Sequence, residues 1–237
     1  AIEIGLWQKP YFDAALMAAG AAYILGGWVL GRGQAVEQAK RLVGLPLTPA
    51  NVTGYLLAGA AVAWPTYGEP VHAGVLYAGA GLAALSARRW DRTAWTYLAN
   101  ALLGTAVVAT LAQAAPDVLP VSYWGVALAA LAWVYLAEGL ALRRRPEHAQ
   151  SAFIGALAAS AASLAWLLVN PDVTAALATI PVAASLYVCL AVLAHRGKDT
   201  ALLNLATGLV KGADLPLRDI KPEALAATAF MTVAAVL

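Results

Sequence analysis

Long uncharged runs divide this sequence, and they limit its possible folds more than any other feature. Seven mostly apolar runs each reach or exceed the roughly 18 residues that a membrane-spanning helix requires. They cover residues 14–31, 42–68, 70–87, 93–116, 118–137, 148–171 and 173–195. A soluble helical repeat protein is the alternative, but its helices would keep a polar face, and the run 152–169 has none. We therefore predict an all-α, polytopic integral membrane bundle with about seven or eight transmembrane helices.

The basic residues are concentrated in every second connection, and this pattern predicts the orientation of the chain. If every run crosses the membrane, 14 of the 15 lysines and arginines fall on one side, and only Lys9 falls on the other. The fourteen are Arg32, Lys40, Arg41, Arg88, Arg89, Arg92, Arg143, Arg144, Arg145, Arg196, Lys198, Lys211, Arg218 and Lys221. Basic residues in short connections mark the cytoplasmic side. We predict cytoplasmic basic loops, with Arg88, Arg89, Arg143, Arg144, Arg145 and Arg196 as topology determinants, and an N-terminus on the opposite side.

An internal repeat organises the runs into pairs. Pro116-Asp117-Val118 recurs as Pro171-Asp172-Val173, and Arg88-Arg89 recurs as Arg143-Arg144, both 55 residues later. The repeating unit is a helix, a basic turn and a returning helix, so we predict tandem helical hairpins at 10–65, 66–116, 117–171 and 172–237. Units with an even number of spans share one orientation, which favours a modular array over the inverted halves of many carriers.

Two segments do not fit the hairpin plan. Residues 33–45 have the pattern of a short amphipathic helix that lies on the membrane surface with its basic residues toward the headgroups. Residues 200–223 contain an apolar stretch of 11 residues, 200–210, before Lys211. That stretch is too short to cross, so we predict a second interfacial segment and an eighth span from residue 224 onward.

Few ionisable or polar residues fall inside the runs, and these are the candidate functional positions. Glu138 lies about one helical turn from the basic cluster 143–145, so it either extends toward that interface or forms a proton or cation site. Asn100 and Asn204 each precede a glycine by four residues. Their amides either join helices by hydrogen bonds or line a path for a solute.

Proline and tryptophan supply further candidate positions. Pro181 is the one proline that the pattern places inside a helix. It removes a backbone hydrogen bond there and predicts a kink. The kink either only bends the helix or forms part of a gate. Trp133 and Trp166 lie deep in their runs and face lipid, a partner or a pigment. The sequence does not distinguish these three surroundings.

The histidines and the cysteine do not form a recognisable site. His72, His148 and His195 each lack a second ligand at a helical spacing, so we predict no metal site and no haem. Cys189 is the only cysteine, which excludes a disulfide within the chain. We predict no cofactor.

Signatures of catalysis are missing from the sequence. It contains no G-x-S-x-G, no H-E-x-x-H and no P-loop, so we predict that the chain is not an enzyme. The favoured function is that of a structural or accessory subunit in a larger membrane assembly. Its partners would be the bilayer and other membrane subunits or further copies of itself, not nucleic acid. The alternative is a channel or transporter for a small neutral or hydrophobic solute, with Asn100, Asn204, Glu138 and Pro181 near its path.

Overall fold

The chain is helical throughout the residues that the structure describes. The computed structural model describes residues 12–30, 48–63, 72–196, 201–205 and 221–237. The helices in these ranges are α1 (Phe12–Leu30), α2 (Pro49–Ala63), α3 (Ala73–Trp90), α4 (Thr93–Val118), α5 (Trp124–Ala141), α6 (Pro146–Val169), α7 (Val173–His195) and α8 (Pro222–Val236). A short 3-10 turn, Val121–Tyr123, precedes α5. The predicted all-α class is confirmed, while the predicted segment 33–45 and most of 200–223 lie outside the described residues.

Five of the described helices are long and apolar enough to cross a membrane. Their candidate spans are Phe12–Val29, Thr93–Gln113, Val121–Ala141, Pro146–Val169 and Val173–His195. These helices fit a multi-pass membrane protein, as the sequence predicted. Helices α2 and α8 contain 15 residues each, which corresponds to about 22 Å and falls short of the ~30 Å hydrocarbon layer. The structure thus provides five such helices where the sequence predicted seven or eight spans.

Turn chemistry explains most helix boundaries. Helices α2, α6 and α8 begin at prolines, which are tolerated in a first turn because the amide there has no helical partner. Asp172 caps α7, since its Oδ1 accepts hydrogen bonds from the amides of Thr174 (2.8 Å) and Ala175 (3.0 Å). The amide of Ala175, followed by that of Thr174, holds the pKa of Asp172 below its ordinary value.

Two helix ends add detail that the apolar runs did not supply. Asp91 ends α3 in the left-handed conformation, with φ of 51°, and its amide donates to the carbonyl of Ala87. Helix α4 continues past Pro116 to Val118, whereas the sequence pattern ended the run at this proline. A proline so near the end removes one backbone hydrogen bond without interrupting the rest of the helix.

The chain forms two compact units, Ala1–Gln113 and Ala114–Leu237. In the first unit α1 packs against α2. A Cβ placed on Gly20 would lie 2.8 Å from the backbone oxygen of Gly54 and from the amide nitrogen of Ala58. The absence of side chains at Gly20 and Gly54 therefore lets the two backbones touch.

In the second unit α5 packs against α6, and α7 packs against α8. The ring of Phe153 is fully buried against the backbone of Gly139, where a Cβ would lie 2.9 Å from the ring. At the other end of the same helix pair, Trp124 and Trp166 stack with their centroids 5.1 Å apart. The missing side chain of Gly139 on α5 thus leaves room for the aromatic ring of Phe153 on α6.

Candidate functional site

An apolar cleft lies among the helices of the first unit. It has a volume of about 230 Å³, and its walls come from α1, α2, α3 and α4. Met17, Leu82 and Leu102 are representative of the side chains that line it. We define this space as the α4 cleft.

Contacts near both ends of α4 join this helix to α3. Near the start of α4, Trp95 packs on Trp90 with a centroid distance of 5.4 Å. Near its end, Thr110 donates a hydrogen bond to the hydroxyl of Tyr77 at 3.2 Å, and the side-chain oxygen of Gln113 accepts from the amide of Ala73 at 3.1 Å.

Glycine keeps the middle of this helix pair open. A Cβ on Gly79 would lie 3.3 Å from Leu102 Cδ1 and 3.5 Å from both Met17 Cε and Val62 Cγ2. All three of these side chains line the α4 cleft. The missing side chain of Gly79 therefore contributes directly to the open volume.

Four aromatic residues pack together beside the cleft, and we call them the aromatic cluster: Trp28, Tyr55, Trp90 and Trp95. Tyr55 and Trp95 line the cleft. Tyr55 lies 4.9 Å from Trp95 and 5.4 Å from Trp90, and Trp28 meets Trp90 edge-on at 6.2 Å. The Tyr55 hydroxyl donates to Ser86 Oγ at 2.6 Å, because the Ser86 hydroxyl already donates to the carbonyl of Leu82. The buried Nε1 of Trp28 has no acceptor among the described residues.

The turn beside the aromatic cluster contains exposed arginines. Residues 88–92, which we call the arginine turn, contain Arg88, Arg89, Arg92 and Asp91, so the turn carries a net charge of +2. All three arginines are exposed, and none forms an ion pair with a described residue. The turn therefore presents positive charge that the described part of the chain does not neutralise.

A buried carboxylate joins α1 to the start of α3. The Asp13 side chain is 0% exposed, and its Oδ2 lies 2.9 Å from Nδ1 of His72, whose own side chain is 35% exposed. The backbone amides of His72 (3.0 Å) and Ala14 (2.8 Å) also donate to this carboxylate. A groove of about 460 Å³ lies alongside, and Met17 lines both this groove and the α4 cleft.

The sequence analysis did not identify the pair formed by Asp13 and His72. The two residues are 59 positions apart, so no local spacing indicates their contact. The available signal was chemical: an acid directly before the run 14–31 and a histidine near the start of the run 70–87, both on the same predicted side.

Asn51 is a second buried polar residue that the sequence analysis missed. Its Nδ2 donates to the carbonyl of Ile24 at 2.8 Å, and its Oδ1 accepts from both the amide (3.1 Å) and the hydroxyl (2.9 Å) of Thr48. The first bond joins α2 to α1, and the other two complete a capping arrangement at the start of α2. The spacing Thr48-x-x-Asn51 was the signal that could have identified it.

The predicted polar positions lie on different helical segments of the described structure. Asn100 is buried in α4 of the first unit and has a bonding partner, while Glu138 is half-buried in α5 of the second unit and also has one. Asn204 is exposed in the helical stretch 201–205. Pro181 lies inside α7, as the sequence predicted, and is exposed.

The predicted topology determinants and the deep tryptophans also have defined places. Arg88, Arg89, Arg143, Arg144, Arg145 and Arg196 are all exposed. The indole of Trp133 donates to the carbonyl of Val182 at 3.2 Å, and that of Trp166 donates to the carbonyl of Val121 at 2.8 Å. These two bonds give both tryptophans a packing role within the second unit.

Among the described residues, no group of three or more histidines, cysteines and acids is placed to hold a metal ion. No protein-family model, curated protein or solved structure matches this chain. The function is therefore argued from the residues and their geometry.

Proposed function

We propose that this chain is a structural or accessory subunit of a larger membrane assembly. The observation that carries the proposal is the weak packing of α4 within its own chain. Only 22% of its candidate span Thr93–Gln113 is buried, the smallest share among the five candidate spans. Large side chains such as Val108 remain exposed along it. A long helix with so little internal contact gains stability from a neighbouring membrane subunit that covers its outer face.

The threading that we propose places the basic turns in the cytoplasm and the N-terminus outside. If α2, α3 and α8 also cross, the chain has eight spans, and the arginine turn, residues 142–145 and Arg196 all fall on one side. Close packing within α1–α2, α5–α6 and α7–α8 supports the tandem hairpins that the 55-residue repeat predicts.

Cysteine labelling from one side of sealed vesicles tests this threading. With Cys189→Ala as background, single cysteines would replace Arg88, Arg143 and Asp172. We expect Arg88→Cys and Arg143→Cys to react from one compartment and Asp172→Cys from the other. Reaction of all three from a common compartment would contradict the threading.

A matched pair of tryptophan substitutions tests the subunit role. Val108→Trp adds bulk to the exposed face of α4, and Leu168→Trp adds the same bulk to an exposed position of α6. The full chain, purified in mild detergent, is expected to migrate as a complex of fixed stoichiometry with other membrane subunits. Val108→Trp should dissociate this complex and Leu168→Trp should leave it intact. A single monodisperse chain before any substitution would contradict the proposal.

A second candidate function is a channel or carrier for a small neutral or hydrophobic solute. The observation that favours it is that the α4 cleft and the groove beside Asp13 share Met17 as a lining residue. A path through both spaces would pass this flexible side chain. Liposomes that contain the full chain should then swell faster in glycerol than empty liposomes, and Met17→Trp should remove the difference. Equal swelling rates with and without the chain would eliminate this candidate.

A further inference from the structure

We propose that the first unit binds an anionic phospholipid, with one acyl chain in the α4 cleft and the phosphate headgroup on the arginine turn. This inference goes beyond the subunit role and does not depend on it. It assigns a ligand to a cleft and a charged turn that the proposed assembly leaves unused.

The chemistry of the α4 cleft fits hydrocarbon. Its lining is almost entirely aliphatic and aromatic, and the Tyr55 hydroxyl already donates to Ser86. A polar solute would therefore lose its own hydrogen bonds with water and find few replacements in the cleft. A saturated chain has no hydrogen bonds to lose on entry, and it gains packing contacts with walls that would otherwise face an empty space.

The open side of the α4 cleft, which we call its mouth, lies between α2 and α4 and indicates that the hydrocarbon comes from a lipid. Gly59 of α2 and Leu98 of α4 both line the cleft and are both exposed on the sides of their helices. Because α4 is long and apolar enough to cross a membrane, the exposed side chain of Leu98 would contact lipid tails if α4 crosses. An acyl chain can enter sideways without crossing a polar region.

The headgroup end is defined by the aromatic cluster and the arginine turn. Trp95 lines the cleft and packs on Trp90, which lies inside the arginine turn between Arg89 and Asp91. Tryptophan is enriched at the level of lipid headgroups. The end of the cleft thus coincides with the level at which a phosphate would lie.

Charge selects the class of headgroup. The arginine turn has a net charge of +2, and its guanidinium groups are exposed. A guanidinium group can form a bidentate pair of hydrogen bonds with two phosphate oxygens. Basic pockets between membrane helices on the cytoplasmic side bind anionic headgroups. A zwitterionic headgroup has no net charge with which to complement this turn, so the site prefers an anionic lipid.

The test measures lipid binding to the delipidated full chain by native mass spectrometry in mild detergent. The probes are phosphatidylglycerol and phosphatidylcholine with identical acyl chains. We expect the anionic lipid to bind at least about tenfold more tightly. Each nearby basic residue strengthens the binding of an anionic headgroup by roughly fivefold, and the turn has a net charge of +2. Equal affinity for the two lipids would overturn the headgroup assignment.

Two matched glycine substitutions test the acyl-chain assignment. A Cβ on Gly59 or on Gly81 would meet no atom within 4 Å, so both positions accept a side chain at Cβ, but only Gly59 lines the cleft. Gly59→Leu should weaken binding of both lipids, while Gly81→Leu should leave both unchanged. Leu98→Trp blocks the mouth from the α4 side and provides a second test if Gly59→Leu fails to fold. Unchanged binding in a folded blocking variant would overturn the acyl-chain assignment.

Two triple arginine variants test the headgroup contact. Arg88→Gln/Arg89→Gln/Arg92→Gln should remove the preference for phosphatidylglycerol without changing phosphatidylcholine binding. The control Arg143→Gln/Arg144→Gln/Arg196→Gln removes the same charge from exposed positions of the second unit. Equal loss of preference in both triple variants would show general charge attraction and would overturn the site.

Discussion

Replacement of Gly20 by alanine should push α1 and α2 apart. The new Cβ would lie 2.8 Å from the backbone oxygen of Gly54, whereas ordinary contact begins at 3.4 Å, so the gap must widen by about 0.6 Å. The obstructing atoms belong to the backbone, which cannot rotate away as a side chain can. Both helices must therefore move, and the movement also strains the 2.8 Å bond from Asn51 Nδ2 to the carbonyl of Ile24.

The size of the effect follows from a matched substitution in the same helix. Gly26→Ala makes the same chemical change, but its Cβ would meet no atom within 4 Å. Both variants gain the same helix propensity, up to about 1 kcal/mol, so this gain cancels when the two are compared. The remaining difference is the overpacking penalty of about 1–3 kcal/mol. Gly26→Ala should unfold at the same temperature as the parent chain or above it, and Gly20→Ala below it.

The assay is reversible unfolding of the full chain in mixed detergent micelles, followed by circular dichroism. Each variant is compared with the parent chain under identical detergent and lipid conditions. If Gly20→Ala and Gly26→Ala have the same free energy of unfolding, the close backbone contact between α1 and α2 is wrong.

Three further substitutions have expected outcomes in the same unfolding assay. Asn51→Ala should lower the free energy of unfolding by about 1–3 kcal/mol, because the buried carbonyl of Ile24 loses its side-chain donor, while Asn204→Ala at an exposed position should change it by less than about 0.5 kcal/mol. Phe153→Ala should lower the free energy of unfolding by about 3 kcal/mol, at the low end of such losses, because the unfolded side chain contacts lipid or detergent rather than water. Equal stability of Phe153→Ala and the parent would contradict the packing on Gly139. Asp172→Ala should lower the unfolding temperature more than Asp172→Asn, which keeps an acceptor for the cap. Because the folded pKa of Asp172 is lowered, its contribution is complete above the ordinary value of 3.8 and is lost as the pH falls through the folded pKa; a pH-independent difference between Asp172→Ala and the parent would refute this.

The sequence predicted the fold class because the uncharged runs carry that information locally. Apolar length, basic turns and capping residues such as Asp172 all act within a few positions of one another, and the helices follow them. Pro116 shows the limit of such reasoning, since a proline near a helix end marks a boundary only to within a few residues.

The candidate site was less accessible from sequence because it depends on contacts between distant positions. Asn51 and Asn204 both occur in apolar surroundings, yet one is buried against Ile24 and the other is exposed. The α4 cleft depends on Gly79, whose missing side chain matters only because Leu102 and Met17 come near it. The helical periodicity of the sequence does not predict which of these distant positions come into contact.

The bond between Asp13 and His72 has a consequence for how the chain is made. The two residues are 59 positions apart, so α1 leaves the ribosome long before its carboxylate can meet the imidazole. At roughly 5–20 residues per second, that interval is about 3–12 seconds. α2 is synthesised within this interval, and the bond that holds the start of α1 forms only after His72 has been synthesised.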